Sequence, residues 1–211
     1  GERTLRKAIN TPASRGPCFT SLMAIREAAR VFHGQEVREG AGVRLTRVFG
    51  GRDLELFDPF LLFDDFSSDK AEDYRAGFPW HPHRGIETVT YILSGELAHQ
   101  DSIGNDGSIT AGTVQWMSAG SGIVHQEMPQ ERPSGIRGFQ LWVNLPKTAK
   151  MSAPVYRDMH ASDIPELIAN GAHIKVIAGG YGDVSGPGKD IAGAPAYLDV
   201  ALETGATFEY P

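Results

Sequence analysis

The sequence is poor in several features that would have fixed its class at once. Its single cysteine, Cys18, has no intrachain partner, which excludes a disulfide framework and points to a reducing, cytoplasmic setting. No apolar run is long enough to span a bilayer as a helix, and there is no secretory hydrophobic segment. Blocks of lysine or arginine are also missing, and the formal net charge is −6. Direct binding to nucleic acid through phosphates is therefore not expected. Nor is there a repeat period among the 25 glycines and 13 prolines, which rules out collagen-like or low-complexity sequence.

What is present is a chain of 211 residues with 41% apolar content, long enough for one buried core and part of a second. Frequent turn residues between short apolar runs predict an all-β architecture. Residues 1–22 are polar, basic and aperiodic, and are expected to be a flexible leader of expression-derived or upstream sequence, with Met23 as a natural start; Arg3, Arg6, Lys7 and Arg15 leave a targeting peptide as the alternative. Val37 to Phe49 reads as strand interrupted by Gly40 and Gly42. Phe60 to Phe63 reads as a buried strand between acidic residues, and the stretch through Asp69, Glu72 and Asp73 to Arg75 as a solvated loop. Glu87–Leu93, Leu97–Asp101, Val114–Met117 and Phe139–Leu145 read as further strands, with Gly104-Asn105-Asp106-Gly107 as a hairpin turn.

From Lys150 onward the chain reads as a second unit. A helical turn is expected over Ser162–Ala169, with Ser162 as cap and Pro165 in its first turn. Strands are expected at Ile174–Ala178, Tyr197–Leu202 and Thr207–Tyr210. Gly186-Pro187-Gly188-Lys189 is followed by Asp190, where a phosphate loop needs Ser or Thr, so a linker loop is the better reading. The expected division is thus 1–22 leader, 23–148 a first β-domain and 149–211 a linker with an incomplete second one.

The chemistry concentrates between Gly77 and Glu127. His81-Pro82-His83 and His125-Gln126-Glu127 each place two metal-capable side chains at the spacing that shares one face of a strand. Four ligands could then converge from two strands. Three imidazoles and a carboxylate suit Fe, Mn, Cu, Ni or Zn, and on an octahedral ion they leave two positions open, which favours ligand activation and Fe(II) first. Glu87 has the same parity as His81 and His83 and is the rival ligand, or a residue supporting a ligating imidazole. His99 is read as structural or surface, and His33, His160 and His173 lack a partner at metal spacing. Trp80, Trp116, Phe139 and Trp142 are candidates for an aromatic pocket above the metal, with core packing as the alternative.

Several of these motifs carry a resemblance. His81-x-His83-x-x-x-Glu87 followed by Gly95, and Gly112 through Gly120 to His125, resemble the two cupin motifs. Asp58-Pro59-Phe60-Leu61-Leu62-Phe63-Asp64, His81-Pro82-His83-Arg84-Gly85, Gln115-Trp116-Met117 and His125-Gln126-Glu127-Met128-Pro129 resemble the pirin family. The resemblance is specific from about Val37 to Leu145 and looser to Pro211. It implies a cupin barrel (a double-stranded β-helix or jelly roll) followed by the start of a second barrel, with iron held by residues matching His81, His83, His125 and Glu127. It also favours Glu127 over Glu87.

Two functions follow from the resemblance. The first is a quercetin (flavonol) 2,3-dioxygenase using O2, in which Glu127 accepts the proton of the substrate's 3-hydroxyl. The alternative is a non-enzymatic, iron-dependent co-regulator of transcription that binds a protein partner, nuclear as well as cytoplasmic in a eukaryote.

Overall fold

Turn chemistry sets the boundaries of the strands. In the computed structural model, which describes residues 30–51 and 54–210, the left-handed backbone falls mostly on glycine, as at Gly95, Gly104, Gly112 and Gly120, where the missing Cβ removes the steric cost. Between these turns the described chain runs β1 (Gln35–Glu39), β2 (Val43–Gly50), β3 (Phe60–Asp65), β4 (Phe78–His83), β5 (Ile86–Ser94), β6 (Glu96–Asp101), β7 (Asp106–Thr110), β8 (Val114–Ser118), β9 (Ile123–Pro129), β10 (Arg137–Asn144) and β11 (Val155–Met159). The short helices α1 (Leu54–Phe57) and α2 (Ala71–Tyr74) flank β3. The leader over 1–22, with Cys18, and the expected start at Met23 lie outside the described residues.

Two antiparallel sheets form the barrel. One has the order β1-β2-β3-β10-β5-β8-β11, and the facing one the order β4-β9-β6-β7. β11 pairs with β8 from Val155↔Ser118 to Met159↔Val114, so a strand beyond residue 148 joins the barrel's large sheet. The inner face buries Val43, Leu45, Phe66, Tyr74, Ile92, Leu97, Ile109 and Ile136 in one apolar cluster. This is the all-β cupin architecture expected from the sequence.

The outer face of the large sheet is covered too. A second sheet of order β12-β13-β16, built from β12 (Glu166–Ala169), β13 (Ala172–Ala178) and β16 (Tyr197–Leu202), follows the barrel, with a small hairpin of β14 (Gly180–Tyr181) and β15 (Val184–Ser185) in between. Val89, Tyr91, Val114, Trp116 and Val143 from the barrel pack with Ile164, Ile177, Ala178 and Ile191. Within this apolar contact the Tyr91 hydroxyl donates to Asp199 Oδ2 at 2.7 Å, which satisfies a buried polar group. The Gly-rich stretch after β13 doubles back closely: a Cβ at Gly186 would stand 2.5 Å from the Ile177 backbone.

Three local expectations are corrected. Ser162–Ala169 is not a helical turn: a 3₁₀ turn covers Ala161–Asp163 and Glu166–Ala169 is strand β12. Pro165 disfavours helical backbone at the residue before it, and Ile164 is extended (φ −87°, ψ 112°). Residue pairing of β12 with β13, such as Leu167↔Ile174, then takes up the segment. The acidic stretch before Arg75 is not a solvated loop, because α2 buries Asp73 and Tyr74; Asp73 Oδ2 accepts from Ser68 Oγ at 2.7 Å and from Arg44 Nη1 at 3.1 Å. Thr207–Tyr210 forms no strand. A turn closed by Ala206 N donating to Glu203 O redirects the chain, and Phe208 packs on the second sheet's apolar face.

Ile177 is fully buried where the two sheets meet. Ile177→Ala is expected to lower stability by about 2–5 kcal/mol, read as a shift of the urea midpoint at an unchanged slope. A cost below about 0.5 kcal/mol would show that this contact does not tie the sheets together.

Candidate metal centre

The ligand-bearing strands are neighbours in the smaller sheet. β4 pairs with β9 so that His81 lies opposite His125 and His83 opposite Ile123. Along β9 the buried positions alternate as Ile123, His125, Glu127 and Pro129, so both members of the His-x-Glu pair face the barrel interior. The bend that delivers this strand depends on Gly120, whose φ of +50° and close approach to Ser152 leave no room for a side chain. β4 contains Pro79 and Pro82 yet stays in the sheet, because it is the edge strand.

The three imidazoles converge. One ring nitrogen from each of His81, His83 and His125 lies within 4.8 Å of the others. His81 Nε2 and His83 Nε2 are 3.0 Å apart, which matches the separation of about 3 Å expected for two cis nitrogens each about 2.1 Å from one ion. His81 Nδ1 donates to the Pro79 carbonyl at 2.8 Å, which directs the lone pair of Nε2 inward. Such a bond fixes the tautomer and the ring orientation of a metal-binding histidine. Both ring nitrogens of His125 are buried without a hydrogen-bond partner among the described residues. A buried polar atom is normally satisfied, and a divalent ion between the three rings would satisfy one of them. The residues present therefore fit a transition-metal ion, and burial keeps them ready for it. Desolvation, followed by the neighbouring imidazoles, lowers both His83 and His125 to about 4. At neutral pH these two rings are uncharged donors.

Glu127 sits beside this group but outside the tight cluster of ring nitrogens. Its carboxylate accepts from Thr90 Oγ1 at 3.2 Å on β5 and from Gln140 Nε2 at 3.2 Å on β10. It is buried and opposes the lowering of His83, so its charge lies close to the imidazoles. Glu87 is placed otherwise than its parity with His81 and His83 implies. A bend through Gly85 (φ +69°) separates β4 from β5, which belong to different sheets. Glu87 Oε2 accepts from Trp116 Nε1 at 3.1 Å on the outer face of the large sheet, and burial pushes its carboxyl above the usual range against that bond. Among the described residues it bonds no ligating imidazole.

The aromatic residues divide in the same way. Trp80 and Trp142 line a cavity of about 670 Å³ that reaches His81 and Gln140, and Trp142 meets His83 edge-on at 5.0 Å. Trp116 and Phe139 instead belong to the outer apolar cluster. His99 is buried opposite Glu127 on β6. Its Nε2 lies 3.1 Å from Gln115 Nε2, and the same amide donates to Asp158 Oδ1 at 3.0 Å. His160 and His173 stay outside the cluster. Sequence reasoning missed Thr90, Gln115 and Gln140. Their one legible signal was a polar residue on the inward parity of an otherwise apolar strand.

The lowered histidines make a signed pH prediction for metal-free protein. An unfolded histidine takes up its proton near pH 6.5, whereas His83 and His125 in the fold do so near pH 4. The unfolded state binds more protons between those values, so stability is complete above about pH 6.5, falls as pH drops through this window, and levels off below about 4. Melting temperature measured against pH should show that decline, and the decline should be shallower in His83→Gln, where His125 alone of the two remains. A wild-type curve level from about pH 7 to about 4.5 would contradict the burial of neutral rings.

Comparison with known proteins places this geometry in a family. The pirin family model matches residues 42–143. The chain is 49% identical over 191 residues to a pirin-like protein of Caulobacter vibrioides, covering 90% of this chain and 69% of that one. It is 42% identical to pirin of Rattus norvegicus over 84% of this chain and 59% of the other. Among solved structures, a quercetin 2,3-dioxygenase from Acinetobacter baumannii superposes with a TM-score of 0.69 at 35% identity, over 82% of this chain and 65% of that one. These relatives are all longer than the segment they share with it. With its cupin barrel and its three convergent imidazoles, the chain belongs to the pirin family.

Proposed function

We propose that the chain is a mononuclear metal protein whose barrel opens a flavonol such as quercetin with O2, with iron(II) as its working metal. The observation that carries this reading is the junction of two features. Three imidazoles converge, two of them buried and uncharged, and an aromatic-walled cavity of about 670 Å³ ends on the third, His81. That volume lies in the range that encloses a small polycyclic ligand. The likeness to the Acinetobacter dioxygenase supports the same substrate class.

His81, His83 and His125 would hold the ion, with Glu127 as the fourth protein ligand. When bound, the ion would supply Lewis-acid activation of a substrate oxygen and a redox partner for dioxygen. The chain's own residues have distinct tasks around it. Trp80 and Trp142 offer flat apolar faces that orient a planar ring system. Glu127 takes the proton of the substrate's 3-hydroxyl, leaving the ring electron-rich for attack by O2. Thr90 and Gln140 hold the carboxylate by bonds to both of its oxygens, which limits the geometries in which it can accept that proton.

Iron loaded anaerobically, followed by quercetin and then air, should give loss of the flavonol absorbance at a rate proportional to enzyme. Folded, iron-replete protein with no turnover overturns the reading. Glu127→Gln should lower kcat by about 10²-fold or more. Iron content, measured on the same sample, separates the two roles of this residue: retained iron with lost turnover identifies the base, and lost iron identifies the ligand.

A further inference from the structure

The cavity that ends on His81 has a second, chemically different wall. Its wall on β1 to β3 is formed by Glu39, Arg47 and Asp64, next to Leu45, Leu62 and Phe66, and Asp64 lies opposite Gln140 of β10. Arg47 is bound through Nε to Asp64 Oδ1 at 2.9 Å and through Nη2 to Asp64 Oδ2 at 2.8 Å. Its Nη1 lies 3.0 Å from Glu39 Oε1. The one guanidinium in the wall is thus shared between two carboxylates, and the group carries a net charge of about −1. Asp64 is 5% exposed and its charge is matched by Arg47, so the excess negative charge rests on Glu39, which solvent reaches and partly screens.

Two consequences follow for a bound molecule. An anionic tail would meet excess negative charge and a guanidinium already engaged in a bidentate pair, so its desolvation would go uncompensated. A hydroxyl or amino tail would meet unused acceptor capacity, since each carboxylate can accept at about four lone-pair positions and Arg47 takes only some of them.

We propose that Glu39, Arg47 and Asp64 set the specificity of the cavity, admitting planar ligands whose ring against β1 to β3 carries uncharged hydrogen-bond donors and excluding those carrying an acidic group there. This rests on the reading of the cavity as the substrate site, and it extends that reading from the histidines to the charged wall on β1 to β3. Among the described residues the triad has no hydrogen bond to the ring nitrogens of the metal centre, so the binding of a ligand, and not its turnover, reads its role. Polyhydroxylated aromatics fit such a wall, while their sulfated or carboxylated conjugates do not.

The test is anaerobic binding to zinc-loaded protein at mildly acidic pH, where phenolic hydroxyls stay protonated, followed by quenching of tryptophan fluorescence. The probes are quercetin and quercetin sulfonated on either ring. Wild type should bind at least one sulfonated isomer about 10-fold or more weakly than quercetin itself. Glu39 is partly exposed, with a side chain 44% accessible, so Glu39→Gln and Glu39→Lys leave the core intact. Glu39→Gln should narrow that ratio several-fold, and Glu39→Lys should bring it close to one. Glu209→Gln, an exposed carboxylate far along the chain, should leave it unchanged.

Equal binding of quercetin and both sulfonated isomers to wild type overturns the proposal, as does a ratio that is the same in wild type, Glu39→Gln and Glu39→Lys. No binding of any probe overturns it together with the cavity reading. Failure of the dioxygenase reading looks different, because selective binding would persist in protein that turns nothing over in air.

Discussion

Three imidazoles crowded onto one point are the constraint on which the rest of this structure depends. Two of the rings lack the charge that would repel their neighbours, because burial lowers His83 and His125 to about 4. The group also lacks enough protein partners, since both nitrogens of His125 go unbonded among the described residues. Such an arrangement is unfavourable for an isolated fold and favourable once a cation occupies the centre. What keeps it in place is register. His81 opposite His125 is a single residue pairing, and a slip of one residue would turn every side chain of β9 to the other face.

Alternation in the large sheet then divides the protein into two environments separated by one backbone. Thr90, Gln115 and Gln140 face inward to Glu127 and His99. Their chain neighbours Tyr91, Trp116 and Leu141 face outward to the apolar contact with the second sheet. The side chains that hold Glu127 are therefore positioned by strands clamped from behind. Burial of Val89, Trp116 and Val143 against Ile177 and Ile191 is a packing contribution to the precision of the site as well as to stability, because loosely held groups lose alignment. The Tyr91 bond to Asp199 adds a directional restraint at the same layer.

Much of this is legible in the amino-acid order itself. The period of two in His81-Pro82-His83 and His125-Gln126-Glu127 sets the facing of all four side chains, and glycines mark the turns. Where pattern and fold part, the reason is a local backbone bend or a partner distant in the chain. Parity counted through Arg84-Gly85 turns Glu87 inward, but a left-handed glycine lies there and parity does not survive a change of sheet. Asp73 looks solvated because its partners, Arg44 and Ser68, are supplied by tertiary contact. The Ser162 turn looks helical because cap and proline signals are local, whereas the edge of β13 that claims Glu166–Ala169 is not. Thr90 and Gln140 reach Glu127 across 37 and 13 residues of chain, and nothing in the local pattern of either strand announces that partner.

The cavity follows from the same edge that makes the histidine pair readable. β4 ends its sheet, and Pro79 and Pro82 deprive it of two backbone donors, which makes it a poor template for a further strand. The gap left between this edge and strands β1 to β3 is where the cavity lies. Prolines that look like obstacles to strand formation thus serve three ends at once. They protect an edge, they keep open the approach to His81, and through the Pro79 carbonyl they orient the ring that the approach leads to. A fourth consequence falls on β2 and β3: strands that would otherwise pack against a neighbour present Arg47 and Asp64 to a space a ligand can enter, and the pairing of those two charges with each other is what makes their burial there tolerable.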